Sequence, residues 1–509
     1  MERFVKRHGD RIVGSIAGFD RMLFRGNLSS ICHVEGMDRF LSSQHVLYKD
    51  FSAFVQRISK RVKECAEQMA KDNGRPLIHL NSPKESKEEF VRAIIERDQI
   101  TDGLVCILTC VEPCRSFSIR GDRGSKQTKV VAETRQCQHL YFYFLDNEFG
   151  LLHVRLQTWL PLTIQVCLNG REYLARQMLQ AGISYTQADN CFTALGDVPR
   201  AQHFCDQLVE RKWKPFLDAL ARRVNPWLSR KGTLVLRGYY WTIRQGEYAT
   251  DILFRDAEAL ADIYPALLDH AIKHFHSEDV LRFLGRKART ISSGEVKSDL
   301  QRRHEGVRVK HWVHENSIKM YDKQGSVLRI ETTINNPKRF RVRRRLTRQS
   351  PFKWLPLRKG IADMRRRAAL ARAANERYLE ALAVVGNPTP SHKLLDKVST
   401  RVIRGRQQFR ALRPVSPEDS QLFKALLNGR FLIQGVRNKD LRQLLWPTTD
   451  RKQERKNANR VTRSLTLLKS HNLIYRVPKT NYYRITKLGN EIMSTATKFR
   501  ETNVALLAA

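Results

Sequence analysis

Two stretches of this 509-residue chain carry polar, chemically capable side chains at every second position, the spacing that lines one face of a β-hairpin. In the first, His139 to Phe144 and Leu152 to Trp159 flank Asp146-Asn-Glu-Phe-Gly150. Pairing them around residue 148 sets His139 opposite Gln157, Tyr141 opposite Arg155 and Tyr143 opposite His153. The other face is apolar: Leu140, Phe142, Phe144, Val154 and Leu156. Plain solvent exposure favours Lys, Glu and Thr, so two histidines and two tyrosines on one face mark a site. In the second stretch, Asn316 to Lys323 and Val327 to Ile334 turn around Gln324-Gly-Ser. Lys319, Tyr321 and Lys323 line up with Arg329 and Glu331, against an apolar face of Ile318, Met320, Leu328 and Ile330. A tyrosine between lysines suits stacking on a nucleic-acid base. Lys319 and Glu331 suit a cross-strand ion pair equally well.

Lys319-Met-Tyr-Asp-Lys323 followed by Leu328-Arg-Ile-Glu331 resembles a strand pair in the rolling-circle replication initiators of plasmids and filamentous phages, which nick one DNA strand through a tyrosine. That resemblance covers about 20 residues and implies a tyrosine nucleophile at Tyr321, a metal-binding or base carboxylate at Glu331, and Lys319 beside them. It also implies a metal site on His139, His153 and Gln157, served by Mg2+ or Mn2+. The His-hydrophobe-His signature of most such nickases is replaced here by His153-Val-Arg-Leu-Gln157.

The elements that must position these residues read as an α/β (α+β) body. Phe19 to Leu28 predicts a strand, Val34 to Leu47 a helical stretch, and Phe51 to Lys71 a helix with apolar residues at helical spacing. Pro76 to Leu80 predicts a short strand, Ser82 to Arg97 a helix opened by Ser82-Pro83, and Gly103 to Pro113 a buried apolar strand that ends at the proline. Cys106, Cys110 and Cys114 lie along that strand and lack the short knuckle spacing of zinc ligands, so they read as packing residues. The pattern recurs after residue 200: a helix through Trp213 and Phe216, strands at Thr233 to Ile243 and Ala249 to Arg255, then helices to Leu284. Asp20-Arg-Met-Leu-Phe-Arg25 echoes Asp251-Ile-Leu-Phe-Arg255, either by chance or through an internal duplication. The expected division is an α/β domain over 1–199, a second over 200–337, a basic helical linker over 338–413 and a DNA-binding domain over 414–509.

Residues 338–367 hold 13 Lys or Arg against one Asp, and Arg343, Arg344 and Arg345 at their start read as a solvated run or a phosphate-binding arm. Ile361 to Val385 predicts one helix, ending at Gly386-Asn-Pro-Thr-Pro. Beyond it, Pro417 to Leu427 predicts a helix with Ser416 as cap, Phe431 to Gly435 a short extended piece, and Arg437 to Leu445 a second helix capped by Asn438. The third helix, Asp450 to Ser470, gathers Arg451, Lys452, Arg455, Lys456, Asn459, Arg460 and Arg463 in its amino-terminal half. Val461, Leu465 and Leu468 occupy its apolar face, the polarity of a recognition helix. Leu473 to Val477 and Tyr482 to Thr486 then form a hairpin with Lys479 at its tip. This order is similar to the winged helix of MarR and related bacterial regulators, and implies duplex-DNA binding.

Ninety-one Lys plus Arg against 51 Asp plus Glu leave a formal charge of +40, a field that concentrates polyanions at the surface. No apolar run reaches 18 residues and no signal or lipidation motif is present, so the expected setting is cytoplasmic with no membrane partner. Nine cysteines, none after residue 205, fit a reducing compartment. Across most of its length, in stretches such as Gly103 to Cys114 and Ile318 to Glu331, the chain resembles a bacterial protein family of about this size, a resemblance that implies no activity. The resemblances imply two functions: a strand-nicking protein of replication or a mobile element, or a MarR-like transcriptional regulator without chemistry.

Overall fold

The alternation read in the two hairpins continues from strand to strand and closes into one large sheet. The computed structural model describes residues 1–81, 86–121, 127–228, 236, 238–285, 296–303, 306–347, 349–385, 391–428, 431, 435–478 and 480–502. Among these residues, eleven strands form the sheet: β1 (Ile12–Leu28), β2 (Leu77–His79), β3 (Gly103–Gly121), β4 (Thr128–Asp146), β5 (Gly150–Gln157), β6 (Ile164–Asn169), β9 (Tyr239–Phe254), β10 (Val296–Arg303), β11 (Gly306–Val313), β12 (Asn316–Lys323) and β13 (Val327–Thr333). A separate ribbon is made by β7 (Tyr185–Ala188) and β8 (Cys191–Leu195). The order across the sheet is β10-β11-β12-β13-β9-β1-β6-β5-β4-β3-β2, antiparallel throughout except that β2 runs parallel to β3.

That order repeats itself about the centre. Each half begins with a long strand, β1 or β9, continues through helices, and returns by a four-stranded meander whose last strand, β6 or β13, pairs with the first. The helices Val34–Ser43 and Phe51–Asp72 follow β1; Ala257–Ala261, Tyr264–Lys273 and Ser277–Phe283 follow β9, and both sets pack into the same main core. The halves meet where β1 pairs with β9, and the pairing of Gly18 with Ala249 lies on the local two-fold. This operation relates Asp20 to Asp251 and Ile16 to Glu247. Pairing steps from Phe19–Tyr248 to Met22–Gly246, so Asp20 and Arg21 face a single residue across the seam, a β-bulge. The bulge accounts for the echo, in which six residues from Asp20 to Arg25 correspond to five from Asp251 to Arg255.

The boundary expected between 199 and 200 does not separate two sheets, because β9 is inserted between β1 and β13. The strands expected at Thr233 to Ile243 and Ala249 to Arg255 are one strand from Tyr239, with 233–235 and 237 outside the described residues. Strand β3 does not stop at Pro113 but runs to Gly121; β2 pairs only with Ile107 to Thr109, so the proline's missing N–H lies beyond β2. The helix expected through Trp213 is two, Val198–Glu210 and Trp213–Val224. The helix Met364–Leu382 is not a linker: Met364, Ala368, Ala371, Tyr378 and Leu379 are buried in the main core. Asn375 pins it to the sheet, donating to the Tyr248 carbonyl (3.0 Å) and Thr250 Oγ1 (3.1 Å) while accepting from Thr332 Oγ1 (2.7 Å).

Most of the apolar surface lies on that one face of the sheet. The other face carries two smaller clusters, one under the helix Lys87–Arg97 and one under Gly170–Gln180 and Val198–Glu210. Beyond the sheet, the helices Pro417–Leu426, Asn438–Leu445, Arg451–Ser470 and Lys487–Glu501 and the paired strands Ile474–Arg476 and Tyr483–Ile485 enclose a core of their own. Of the extended piece expected over Phe431 to Gly435, Phe431 is helical and 432–434 lie outside the described residues; the bridge to that hairpin is made just beyond it, by Val436 to Tyr483. Among the described residues, no helix is long and apolar enough to cross a membrane.

Candidate functional site

The second hairpin has the register its sequence predicts, with Lys319 opposite Glu331, Tyr321 opposite Arg329 and Lys323 opposite Val327. What the pattern alone could not place is the company these side chains keep. Arg329 is fully buried, and its guanidinium grips Asp251 of β9 through Nε to Oδ1 (2.6 Å) and Nη2 to Oδ2 (2.8 Å). The same group reaches Asp20 of β1 (3.1 Å) and the Asn190 carbonyl of the β7–β8 turn (2.8 Å). Arg171, at the start of the helix Gly170–Gln180, pairs with Asp251 from the other side (2.9 Å). A chain of alternating charges thus ties both central strands, β13 and the helix to one another. Buried ions are tolerable only when matched in this way. Burial opposes the Asp251 charge, but Arg171 and Arg329 outweigh it and hold this carboxyl below the usual range. Asp20 moves the other way: burial is the largest influence and raises it, with the charges of Glu331 and Asp251 adding to the effect.

Above this network lies a cavity of about 150 Å³ lined by Asp20, Asp189, Asn190, Glu247, Arg303, Gly306, Arg308, Lys319, Tyr321, Lys323 and Glu331. Tyr321, 7% exposed, donates from its hydroxyl to Glu331 Oε2 (3.2 Å), and Lys319 Nζ lies 2.8 Å from Glu331 Oε1. Lys323 donates to Asp189 Oδ2 (3.0 Å). Carboxylate oxygens of Asp20, Glu247 and Glu331 lie within 4.8 Å of one another, close enough for one ion to be shared. The strand bulge at Asp20 turns its carboxylate toward Glu247, its neighbour across the seam. Burial lifts the Tyr321 phenol well above its ordinary value, and the adjacent Glu331 charge lifts it further, so it is a neutral donor at rest. For Lys319, burial pulls down and the charges of Glu331 and Glu247 push up more strongly, so it stays cationic.

The structure therefore brings Tyr321, Glu331 and Lys319 together and adds Asp20 and Glu247, which the sequence reading missed. The available signal was the echo between the strands around Asp20 and Asp251. The first hairpin also has its predicted register, His139 opposite Gln157, Tyr141 opposite Arg155 and Tyr143 opposite His153. It does not assemble the expected metal ligands. His139 and His153 stand at pairs four positions apart along the ladder, about 13 Å, too far to share an ion. His139 Nδ1 donates to the Cys137 carbonyl (3.1 Å), and Gln157 spends its amide on the carbonyls of Arg115 (3.2 Å) and Leu160 (3.3 Å). Burial keeps both rings neutral, pushing His139 down to about 4 and His153 to about 3. Tyr141 and Tyr143 pack under the helix Lys87–Arg97 with Cys106 and Cys110. There Glu112 accepts from Tyr141 (2.7 Å) and from Cys110 (3.1 Å), and pairs with Arg155.

In the carboxy-terminal unit, Asp450 caps the helix Arg451–Ser470 by accepting from the Lys452 amide (3.0 Å). Arg451, Lys452, Arg455, Lys456, Asn459, Arg460 and Arg463 are all exposed, while Asn457, Val461, Leu465 and Leu468 are buried. Arg460 lies over the Trp446 ring, 4.3 Å from its centroid. Asn438 does not cap the preceding helix; Asp440 accepts from the Arg437 amide (3.1 Å), and the Asn438 amide instead donates to the Ala458 carbonyl (2.9 Å) and Thr462 Oγ1 (2.8 Å). Lys479 lies outside the described residues. Of the upstream basic run, Arg343 and Arg345 are exposed beside Phe352, but Arg344 turns inward and donates to the Pro356 carbonyl (3.3 Å), because alternation on the strand Arg341–Arg344 points it under the sheet pairing with Lys353–Pro356.

No protein-family model matches the chain, and no curated protein matches it. Among solved structures, the crystal structure of the di-domain ARO/CYC BexL from the BE-7585A biosynthetic pathway is 12% identical, covering 59% of this chain and 94% of that one, at a TM-score of 0.15. A likeness at that score carries no argument about this chain.

Proposed function

We propose that the protein binds DNA and cleaves one strand at the Tyr321 cavity, as a replication or mobile-element nickase whose carboxy-terminal winged helix selects duplex. The observation that carries this reading is the hydrogen bond from Tyr321 to Glu331 beside the converging carboxylates of Asp20 and Glu247. A nucleophile in contact with a base is the first requirement of covalent catalysis. As the phenolic oxygen forms its bond to phosphorus, its proton passes to Glu331, and the sugar oxygen leaves with the other strand end and takes a proton from water. Asp20 and Glu247, beside Glu331, would hold a divalent ion, Mg2+ or Mn2+, which would neutralise charge on the phosphate. Lys319, Lys323, Arg303 and Arg308 bring positive charge to the same cavity.

The winged-helix assignment is supported by the order of helices and hairpin, the bridge from Val436 to Tyr483 and the exposed basic half of the helix Arg451–Ser470. A regulator without chemistry is the second reading, favoured by the burial of Tyr321 and the Lys319–Glu331 ion pair, which together could serve structure alone. Incubation of the full chain with labelled single-stranded or supercoiled DNA and Mg2+ or Mn2+ separates them. The nickase gives a covalent protein–DNA adduct that disappears in Tyr321→Phe. DNA binding without an adduct under either metal, or an adduct that persists in Tyr321→Phe, overturns it.

A further inference from the structure

Past the bulge, Arg21, Leu23 and Arg25 of β1 alternate with the buried Met22 and Phe24. On β9, Tyr240, Thr242 and Arg244 alternate with the buried Tyr239, Trp241 and Ile243. These positions look out from the face opposite the main core, the face that also bears Asp20 and Glu247. Arg25 pairs with Gln165 of β6, and Gln165 with Arg155 of β5, so one row across three neighbouring strands reads Arg-Gln-Arg. With its amide oriented to accept, the Gln165 side-chain oxygen lies 3.2 Å from Arg155 Nη1 and 3.3 Å from Arg244 Nη1.

The cluster is electrostatically incomplete. Arg155 is neutralised by Glu112, but among the described residues neither Arg25, Arg115 nor Arg244 has a carboxylate at ion-pair distance. The Nε groups of Arg25 and Arg155 are buried with no hydrogen-bond partner. Burial first, then the charges of Arg244, Arg155 and Arg115, pull the Arg25 guanidinium down from its ordinary value. Like charges gathered at one place cost stability unless an anion joins them. Tyr240 stands on the same strand and face as Arg244, 59% exposed, a large aromatic with one side open to solvent.

We infer that Arg25 and Arg244, set around Gln165 beside the Glu112-paired Arg155, bind phosphate groups of a nucleic-acid single strand whose bases stack on Tyr240. Guanidinium forks suit phosphate oxygens, and an exposed aromatic beside a basic track is how strands are held without sequence preference. This site rests on the reading that the body acts on a nucleic-acid strand, and it names the surface that carries the strand along the sheet toward the Tyr321 cavity. It predicts a substrate that is single-stranded at the body.

The test is fluorescence anisotropy of the full chain with a labelled oligothymidylate of about twenty nucleotides. Carrying Arg455→Ala and Lys456→Ala as a common background keeps any contribution of the carboxy-terminal helix the same in every variant compared. Adding Arg25→Gln and Arg244→Gln should weaken the oligomer at least about tenfold and lower its salt slope by about 1.4, or 0.7 for each phosphate no longer neutralised. Removing uncompensated charge should leave the melting temperature equal or higher, a combination that a merely structural role does not give. Tyr240→Ala should lose about tenfold while Tyr240→Phe, which keeps the ring, restores binding. Competition by inorganic phosphate tells a free-phosphate site from a strand site: millimolar displacement of the oligomer overturns the assignment to a strand. Unchanged oligomer affinity in the arginine variants also overturns it. The Tyr321 adduct is scored separately, so a strand bound but never cut removes the nickase and leaves this site, while a cut strand with indifferent arginines does the reverse.

Discussion

At the scale of single residues, Asp251 is tightly constrained, because two fully buried guanidiniums share it as partner. Asp251→Ala leaves Arg329 and Arg171 without their shared partner and should destabilise the fold by about 3–5 kcal/mol, read by chemical denaturation. An effect below about 1 kcal/mol would mean that Asp20 and water replace it. Glu112 gives a pH prediction. Burial raises its carboxyl, but hydrogen bonds from Tyr141 and Cys110 and the charge of Arg155 win and hold it down at about 2. A depressed acid contributes stability above its unfolded value, about 4.3, and loses it as pH falls toward the folded one. Glu112→Gln should therefore be less stable than wild type at neutral pH, with the gap closing by pH of about 2. A gap that stays constant down to that pH would refute the account. The residues around Tyr321 were legible to the extent that a hairpin is local: alternation and a short turn fix which side chains share a face. Asp20 and Glu247 were not, since strands more than 200 residues apart in the chain must pair before their carboxylates meet.

Gly306 opens β11 beside the cavity with φ +136°, and a Cβ there would stand 2.3 Å from the Asp322 carbonyl oxygen. Gly306→Ala should cost about 1–3 kcal/mol through backbone strain. It should also impair any adduct formation at Tyr321, because Asp322 neighbours that residue; wild-type melting and activity together would show that the turn yields freely. In the helix Arg451–Ser470, Arg455 and Lys456 are exposed, whereas Arg460 is engaged with Trp446, so the first two are the cleaner probes of DNA contact. Their joint replacement by alanine should weaken duplex binding and reduce the salt slope by about 1.8, at 0.9 per phosphate. Unaltered duplex affinity would argue that this helix faces a protein. Helix identity was readable from periodicity here, because each helix has one apolar stripe over its own small core. The helix Met364–Leu382 was misplaced as a linker for the opposite reason: its arginines advertise solvent, yet alanines between them and Asn375 dock on the sheet.

The whole molecule holds its main sheet and its carboxy-terminal unit on distinct cores, so calorimetry should resolve two unfolding transitions. A single transition would mean that contacts such as Arg3 with Glu491 couple them fully. Severing the chain between 199 and 200 should leave neither half folded, since each would lose its partner along the β1–β9 seam; a monomeric, cooperatively melting 1–199 fragment would disprove this. Strand content and hairpin register were visible in the sequence, whereas the merging of two apparent domains into one sheet was not, because nothing local encodes which long strand lies beside which. That merging has an outcome for how the site could arise. Two identical chains joined by the same seam would be bound by symmetry to carry every side chain twice, and a glutamate at the position of Glu247 would reappear at that of Ile16. Covalent fusion lifts the obligation. One half keeps isoleucine and builds apolar core around it, the other supplies the carboxylate, and a single asymmetric centre becomes possible in a frame that is still nearly symmetric.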